Sequence, residues 1–305
     1  MMLKEKILEL KQKKNAVILA HYYTIPEVQD VADFVGDSLA LAQAAADTEA
    51  DIILFAGVHF MAETAKILNK NKKVLIPDLN AGCSLADSCP AGDFAEFLKQ
   101  YPDHKVLSYI NCSAAVKTLS DIIVTSGNAL KIVKSLPEDE KIVFAPDRNL
   151  GSYINKETGR NMVLWNGACH VHDQLNTEQV IDLKLQHPEA RVLAHPECQG
   201  PVLALADFVG STAAMLNYVT ADPHHSFIVA TETGILYEMQ KRNPGKIFYI
   251  VNAMESCNCN DCEYMKMNNL VNIYRSLLDE TPEITLDDET IELAKKPILR
   301  MLELS

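Results

Sequence analysis

The strongest constraint in this sequence is that it repeats itself three times, and each repeat closes on a cysteine. An apolar run ending in polar residues opens each third: VILAHYY (17–23), VLSYIN (106–111) and VLAHPE (192–197). A second strand-like run follows in each: ADFVGDS (32–38), DIIVTSG (121–127) and ADFVGST (206–212). The third is IILFAG (52–57), KIVFAPD (141–147) and SFIVATE (226–232). The fourth runs into a cysteine: KVLIPDLNAGC (73–83), NMVLWNGAC (161–169) and KIFYIVNAMESCNCNDC (246–262). His21, Tyr109 and His195 are 88 and 86 residues apart, and Cys83, Cys169 and Cys262 are 86 and 93 apart. A period this long is one compact unit used three times, not a short-unit solenoid.

Between the strand-like runs lie helical stretches such as LALAQAAADTEA and ILYEMQKRN. Strand–helix alternation with near-continuously apolar strands reads as parallel sheets covered on both faces. The expected fold is therefore α/β: three similar α/β/α domains with parallel sheets around a pseudo-threefold axis. The units are expected at 1–103, 104–189 and 190–305, the last carrying a C-terminal helical tail from 263 broken around TPEITLDDET. YPDHKV and QHPEARV, each with a proline and charges, mark the boundaries. A chain of 305 residues can bury roughly 75% of its unfolded surface, so it needs no disulfide staple. No apolar run reaches the roughly 18 residues of a membrane span, and MMLKEKILELKQKK has no signal-like apolar region. A cytoplasmic protein with reduced cysteines is expected. The net charge of -13 argues against nucleic acid as a partner.

In open α/β sheets, ligands bind beyond the carboxyl ends of the strands. Polar residues cluster at those ends here: His21, Tyr23, Asp37, Ser38, Tyr109, Asn111, Ser126, His195, Glu197, Ser211, Thr212, Thr231 and Glu232. One such residue is ordinary loop chemistry. A dozen at equivalent points of three repeats describe a shared cavity. Cys83, Cys169 and Cys262 are repeat-equivalent and come from distant segments, unlike the close pairs of a structural zinc site. Three thiolates fit an iron–sulfur cluster with one iron left unligated, able to act as a Lewis acid. Of the C-x-C-x2-C group Cys257, Cys259 and Cys262, the last is chosen because MKMNN follows it as the start of a helix. Cys89, Cys112 and Cys198 read as small buried hydrophobes.

The turns holding Ser38, Ser126 and Ser211–Thr212 combine hydroxyls with helix N-termini, a setting for carboxylates or phosphate as well as for plain caps. Tyr23, Tyr109, His195 and Glu197 are the acid–base candidates, with His195-Pro196-Glu197 on a stiff turn. His59 and His172 are candidate hydrogen-bond donors to the cluster or the pocket. No turn matches a nucleotide-binding fingerprint.

The motifs AHYY, ADFVGDSL, FAGVHFMAETAKIL, IPDLNAGCSLAD, YINCSAAVK, FAPDRNLG, WNGACHVH, HPEC, GSTAAM, ATETGI and CNDC-x-YMKMN stand in this order across about residues 15–270. The chain thereby resembles the quinolinate synthases, the A proteins of de novo NAD biosynthesis. The resemblance implies a condensing transferase that joins iminosuccinate to dihydroxyacetone phosphate, releasing phosphate and two waters and forming quinolinate. It implies a [4Fe–4S] cluster on Cys83, Cys169 and Cys262. It makes His21, Ser38, Tyr109, Asn111, Ser126, His195, Glu197 and Thr212 substrate contacts, and Tyr23 and Glu197 the proton-transfer residues. It also implies a functional link to the L-aspartate oxidase or dehydrogenase that supplies iminosuccinate. Two details depart from the family pattern. The family often has C-x2-C-x2-C where this chain has C-x-C-x2-C, and HNYQ where this chain has His21-Tyr22-Tyr23-Thr24. The alternatives are another cluster-dependent hydro-lyase and a non-catalytic metal carrier.

Overall fold

The computed structural model describes residues 2–252 and 260–305. Cys257 and Cys259 therefore lie outside the described residues. The first sheet contains β1 (Ala16–His21), β2 (Phe34–Gly36), β3 (Ile52–Ala56) and β4 (Lys73–Leu75). The second contains β5 (Lys105–Tyr109), β6 (Ile122–Val124), β7 (Ile142–Ala145) and β8 (Val163–Leu164). The third contains β9 (Arg191–Ala194), β10 (Phe208–Val209), β11 (Ser226–Ala230) and β12 (Ile247–Ile250). Their orders are β2-β1-β3-β4, β6-β5-β7-β8 and β10-β9-β11-β12, so the topology is the same three times. Every pairing within these sheets is parallel. The sequence expectation of three α/β/α units holds.

The period of two along each strand explains how the units join. Leu19 and Phe55, Leu107 and Phe144, and Leu193 and Phe227 all belong to one hydrophobic core that runs through the three sheets. Their neighbours point the other way into three separate outer cores. Ile18 and Leu54 pack with Ile273 and Leu277, Val106 and Val143 with Phe94, and Val192 and Ile228 with Val180. Each sheet thus has one shared face and one private face. The shared face turns the first strand of every repeat toward a common centre.

Local chemistry fixes the helices that begin at that centre. Asp37 caps the helix Ser38–Asp47, accepting from the Ala40 N–H at 3.1 Å. Asp147 caps Arg148–Thr158 and Ser211 caps Thr212–Ala221 in the same way. These caps satisfy N–H groups that a helix start leaves free.

The C-terminal tail follows the third repeat in the chain but packs on the other two. The helix Leu270–Asp279 lies against the N-terminal helix Leu3–Lys13. The helix Asp288–Leu304 lies against β6 and the helices His59–Leu68 and Ala114–Thr118. Asn128 Nδ2 donates to Ser305 Oγ at 2.8 Å, tying the last residue to the second repeat.

Candidate active site at the junction of the three repeats

The strand ends converge on one cavity. The first strand of each repeat supplies a pair of side chains two residues apart: His21 and Tyr23, Tyr109 and Asn111, His195 and Glu197. The turn after the second strand supplies Ser38, Ser126 and Thr212. The segment after the fourth strand supplies Cys83, Cys169 and Cys262. Ser211 and Thr231, expected as substrate contacts, are not among the lining residues. Ser211 Oγ is used as a helix cap and donates to Asp37 Oδ2 at 3.2 Å. Thr231 sits directly behind the lining, for reasons given below. His59 lies on an adjoining surface cleft that Cys83 also lines, with its Nδ1 3.6 Å from Glu63 Oε1.

Two of the repeats build the same turn. His21 Nδ1 accepts the Tyr23 N–H at 3.1 Å, and His195 Nδ1 accepts the Glu197 N–H at 3.4 Å. Each ring therefore carries its proton on Nε2. His195 Nε2 lies 3.2 Å from Ser126 Oγ. Burial holds both imidazoles down at about 3, so they stay neutral at pH 7.

A hydrogen-bonded chain runs along the cavity wall. Tyr23 Oη lies 2.8 Å from Thr231 Oγ1 and 3.2 Å from Thr212 Oγ1. Thr231 Oγ1 lies 2.9 Å from His172 Nε2, and His172 Nδ1 lies 2.6 Å from Glu197 Oε2. The order Tyr23–Thr231–His172–Glu197 thus links residues of all three repeats. Burial pushes the Glu197 carboxyl up, but His172 and His195 and hydrogen bonds from His172 and Tyr109 outweigh it and hold it at about 2. Burial keeps the phenols of Tyr23 and Tyr109 protonated. The other Glu197 oxygen, Oε1, and the Asn111 Oδ1 are buried without a partner. Buried polar atoms of folded proteins are normally paired, so these two mark a place for a polar ligand.

Burial raises all three thiols, Cys83 to about 12, Cys262 to about 11 and Cys169 upward as well. Cys83 is raised further by Cys262, and Cys169 by Glu197, Cys83 and Cys262. Three thiolates facing one another in a low-dielectric space oppose each other's charge, and a bound soft metal removes that opposition. Cys169, His172 and Glu197 also form a group whose ligand atoms all lie within 4.8 Å, a set able to hold a metal ion. Cys89 and Cys112 are buried in the outer core of the second repeat, and Cys198 in that of the third.

Sequence reading missed two supports of the cysteines. Asp147 is fully buried, and its Oδ2 accepts the Cys169 N–H at 3.2 Å. Glu232 is fully buried, and its Oε1 accepts the Cys262 N–H at 3.1 Å. Asp147 in FAPD and Glu232 in ATE occupy the same point of two repeats. Aligning the repeats residue by residue pairs Asp147 with Glu232, which by itself reads only as a polar strand end.

The family model for quinolinate synthetase A protein matches residues 5–303. The chain belongs to the quinolinate synthetase A protein family. It is 55% identical over 301 residues to the quinolinate synthase of Trichodesmium erythraeum, covering 99% of this chain and 93% of that protein. It is 57% identical over 299 residues to that of Microcystis aeruginosa, covering 98% and 94%. The figures for Synechocystis sp. are 56% over 299 residues, covering 98% and 94%. Membership makes the chain an enzyme and removes the metal-carrier alternative. Among the described residues of this quinolinate synthase family member, no helix is long and apolar enough to cross a membrane.

Proposed function

We propose that the chain condenses iminosuccinate with dihydroxyacetone phosphate to quinolinate, releasing phosphate and two waters. The observation that carries this reading is a cavity into which three repeats bring the thiols of Cys83, Cys169 and Cys262 together with Tyr23, Tyr109, His21, His195 and Glu197. The donor set suits a [4Fe–4S] cluster held by Cys83, Cys169 and Cys262, because soft, buried, mutually repelling thiols favour such a centre. Bound there, the cluster supplies a Lewis acid to a substrate oxygen.

The chain's own residues do the rest. No lysine or arginine lines the cavity among the described residues. Anionic substrate groups are therefore held by hydroxyls and helix starts. Asp37 and Ser211 already cap their helices, which leaves the Ser38 hydroxyl to face the cavity beside one N-terminal end, while the Thr212 hydroxyl at another lies 3.2 Å from Tyr23 Oη. His21 and His195, as neutral rings, present Nε2–H to carboxylate or carbonyl oxygens. Glu197 is ionised and takes a proton. Tyr23 and Tyr109 stay protonated and can give one. Closing an aromatic ring from these substrates requires an enolisation and two dehydrations, and each moves a proton. In this reading an L-aspartate oxidase or dehydrogenase supplies the iminosuccinate.

The test is an anaerobic assay of cluster-loaded protein. Quinolinate is expected only when both substrates are present. Dehydration of a hydroxyacid without carbon–carbon bond formation would instead favour another cluster-dependent hydro-lyase.

A further inference from the structure

We infer that Lys266 is a positioning residue for Tyr23, a strut between the Cys262 segment of the third repeat and the Tyr22–Thr24 loop of the first. Lys266 Nζ donates to the Tyr23 carbonyl at 2.8 Å. The same ammonium lies 2.7 Å from Glu232 Oε1, whose side chain is fully buried. That oxygen also accepts the Cys262 N–H at 3.1 Å, and the second oxygen accepts the Gly234 N–H at 2.6 Å. One buried carboxylate thus fixes the backbone at Cys262, the backbone at Gly234 and the ammonium that holds Tyr23.

The other carbonyls of the loop are taken as well. Gln29 Nε2 donates to Tyr22 O and Thr24 O, both at 2.9 Å. Gly234 presses on the loop from the far side. An ideal Cβ there would lie 2.6 Å from Tyr23 Cα and 2.7 Å from Tyr22 O. Its backbone, at φ -57 and ψ -26, is open to any residue, so the glycine is required by the close approach alone. Asn268 Nδ2 donates to Gly57 O at 2.9 Å and seats the same segment on the first repeat a second time. The Tyr23 hydroxyl reaches Thr231 and Thr212, both of the third repeat, so its aim depends on how the loop is held against that repeat. Lys266 does not touch the Tyr23 ring hydroxyl. It acts through the loop.

The kinetic part of this inference rests on the proposed role of Tyr23. The placement part does not. The experiment places 3-fluorotyrosine at position 23 of the cluster-loaded protein, with a second label at Tyr218 as control, and records 19F spectra. Lys266→Met removes the strut. Glu232→Gln with Lys266→Met removes it without leaving a buried carboxylate unpaired, and keeps an acceptor for the Cys262 N–H. Gly234→Ala pushes the loop from the opposite side. All three are expected to shift or broaden the label at 23 and leave the one at 218 alone. Turnover is expected to fall by about 10- to 100-fold with KM within about twofold, since small misplacements carry costs of that order. In a Tyr23→Phe background, Lys266→Met is expected to cost less than about twofold more, because both changes act on one hydroxyl. An unmoved label at 23 in both Lys266 variants overturns the inference. Wild-type turnover in Tyr23→Phe would instead overturn the catalytic role of Tyr23, and the label would still decide placement.

Discussion

Thr231→Val isolates the hydrogen-bonded chain along the cavity wall. Valine keeps the shape of threonine and removes only the hydroxyl. That hydroxyl stands between Tyr23 Oη at 2.8 Å and His172 Nε2 at 2.9 Å, at a position with no solvent exposure. Tyr23 retains Thr212 at 3.2 Å. His172 Nε2 loses the partner described here, and one buried polar atom left unpaired costs about 1–3 kcal/mol. Unfolding entropy of about 2 cal/mol/K per residue makes each kcal/mol worth roughly 1.5 °C in a chain of this size, so Tm is expected to fall by about 2–5 °C. Loosening Tyr23 and His172 together is expected to lower kcat by about 10- to 100-fold with KM nearly unchanged. Thr231→Ser, which keeps the hydroxyl, is expected to recover most of both. Anaerobic thermal melts and steady-state kinetics of cluster-loaded protein provide the measurement. A Tm within 1 °C and a kcat within about twofold of the parent would refute the chain as a unit. A raised KM at unchanged kcat would instead make Thr231 a direct substrate contact, as its place in the sequence first suggested.

Three further outcomes follow from the geometry. Cys83→Ala, Cys169→Ala and Cys262→Ala are each expected to abolish the cluster's visible absorbance, whereas Cys89→Ala and Cys112→Ala, in an outer core, are expected to keep it; absorbance spectra of anaerobically reconstituted protein decide. Gly167→Ala is expected to displace the Cys169 turn, since a Cβ there would lie 2.5 Å from Pro146 O and 2.3 Å from Ser88 Oγ; iron and sulfide content should fall well below that of the parent. Glu280, hydrogen-bonded by Lys14 and Lys73, has its carboxyl held down at about 2, against 4.5 for the free group. A folded value below the unfolded one stabilises the protein above about pH 4.5, and this contribution is lost as pH falls from there toward about 2. Solvent screening at this surface site keeps the contribution small. Glu280→Gln should therefore lower urea stability at pH 7 and converge on the parent as pH falls through that window.

The sequence alone determined the unit of this fold and its number, because strand period and helix alternation are local and were written three times. It also located most of the polar lining of the cavity. His21, Tyr23, Tyr109, Asn111, His195 and Glu197 sit at first-strand ends, where any parallel sheet presents its residues to a ligand. The three cysteines followed from their near-equal spacing of 86 and 93 residues and, for Cys262, from the helix start after it. Other features were decided only when the units docked. Thr231 was legible as a strand-end hydroxyl. Its use by Tyr23 and His172 depends on three segments meeting, more than 50 residues apart in the chain. Asp147, Glu232 and Lys266 carry no local signal of their task, because an acceptor for a cysteine N–H or a donor to a distant carbonyl is defined by its partner. The C-terminal helices show the same limit: their amphipathic pattern called for a surface to cover, and only packing revealed that it belongs to the first two repeats. Periodicity within a chain fixes what each unit is. The contacts between units, which set the hydrogen bonds of the site, depend on how three surfaces bury one another.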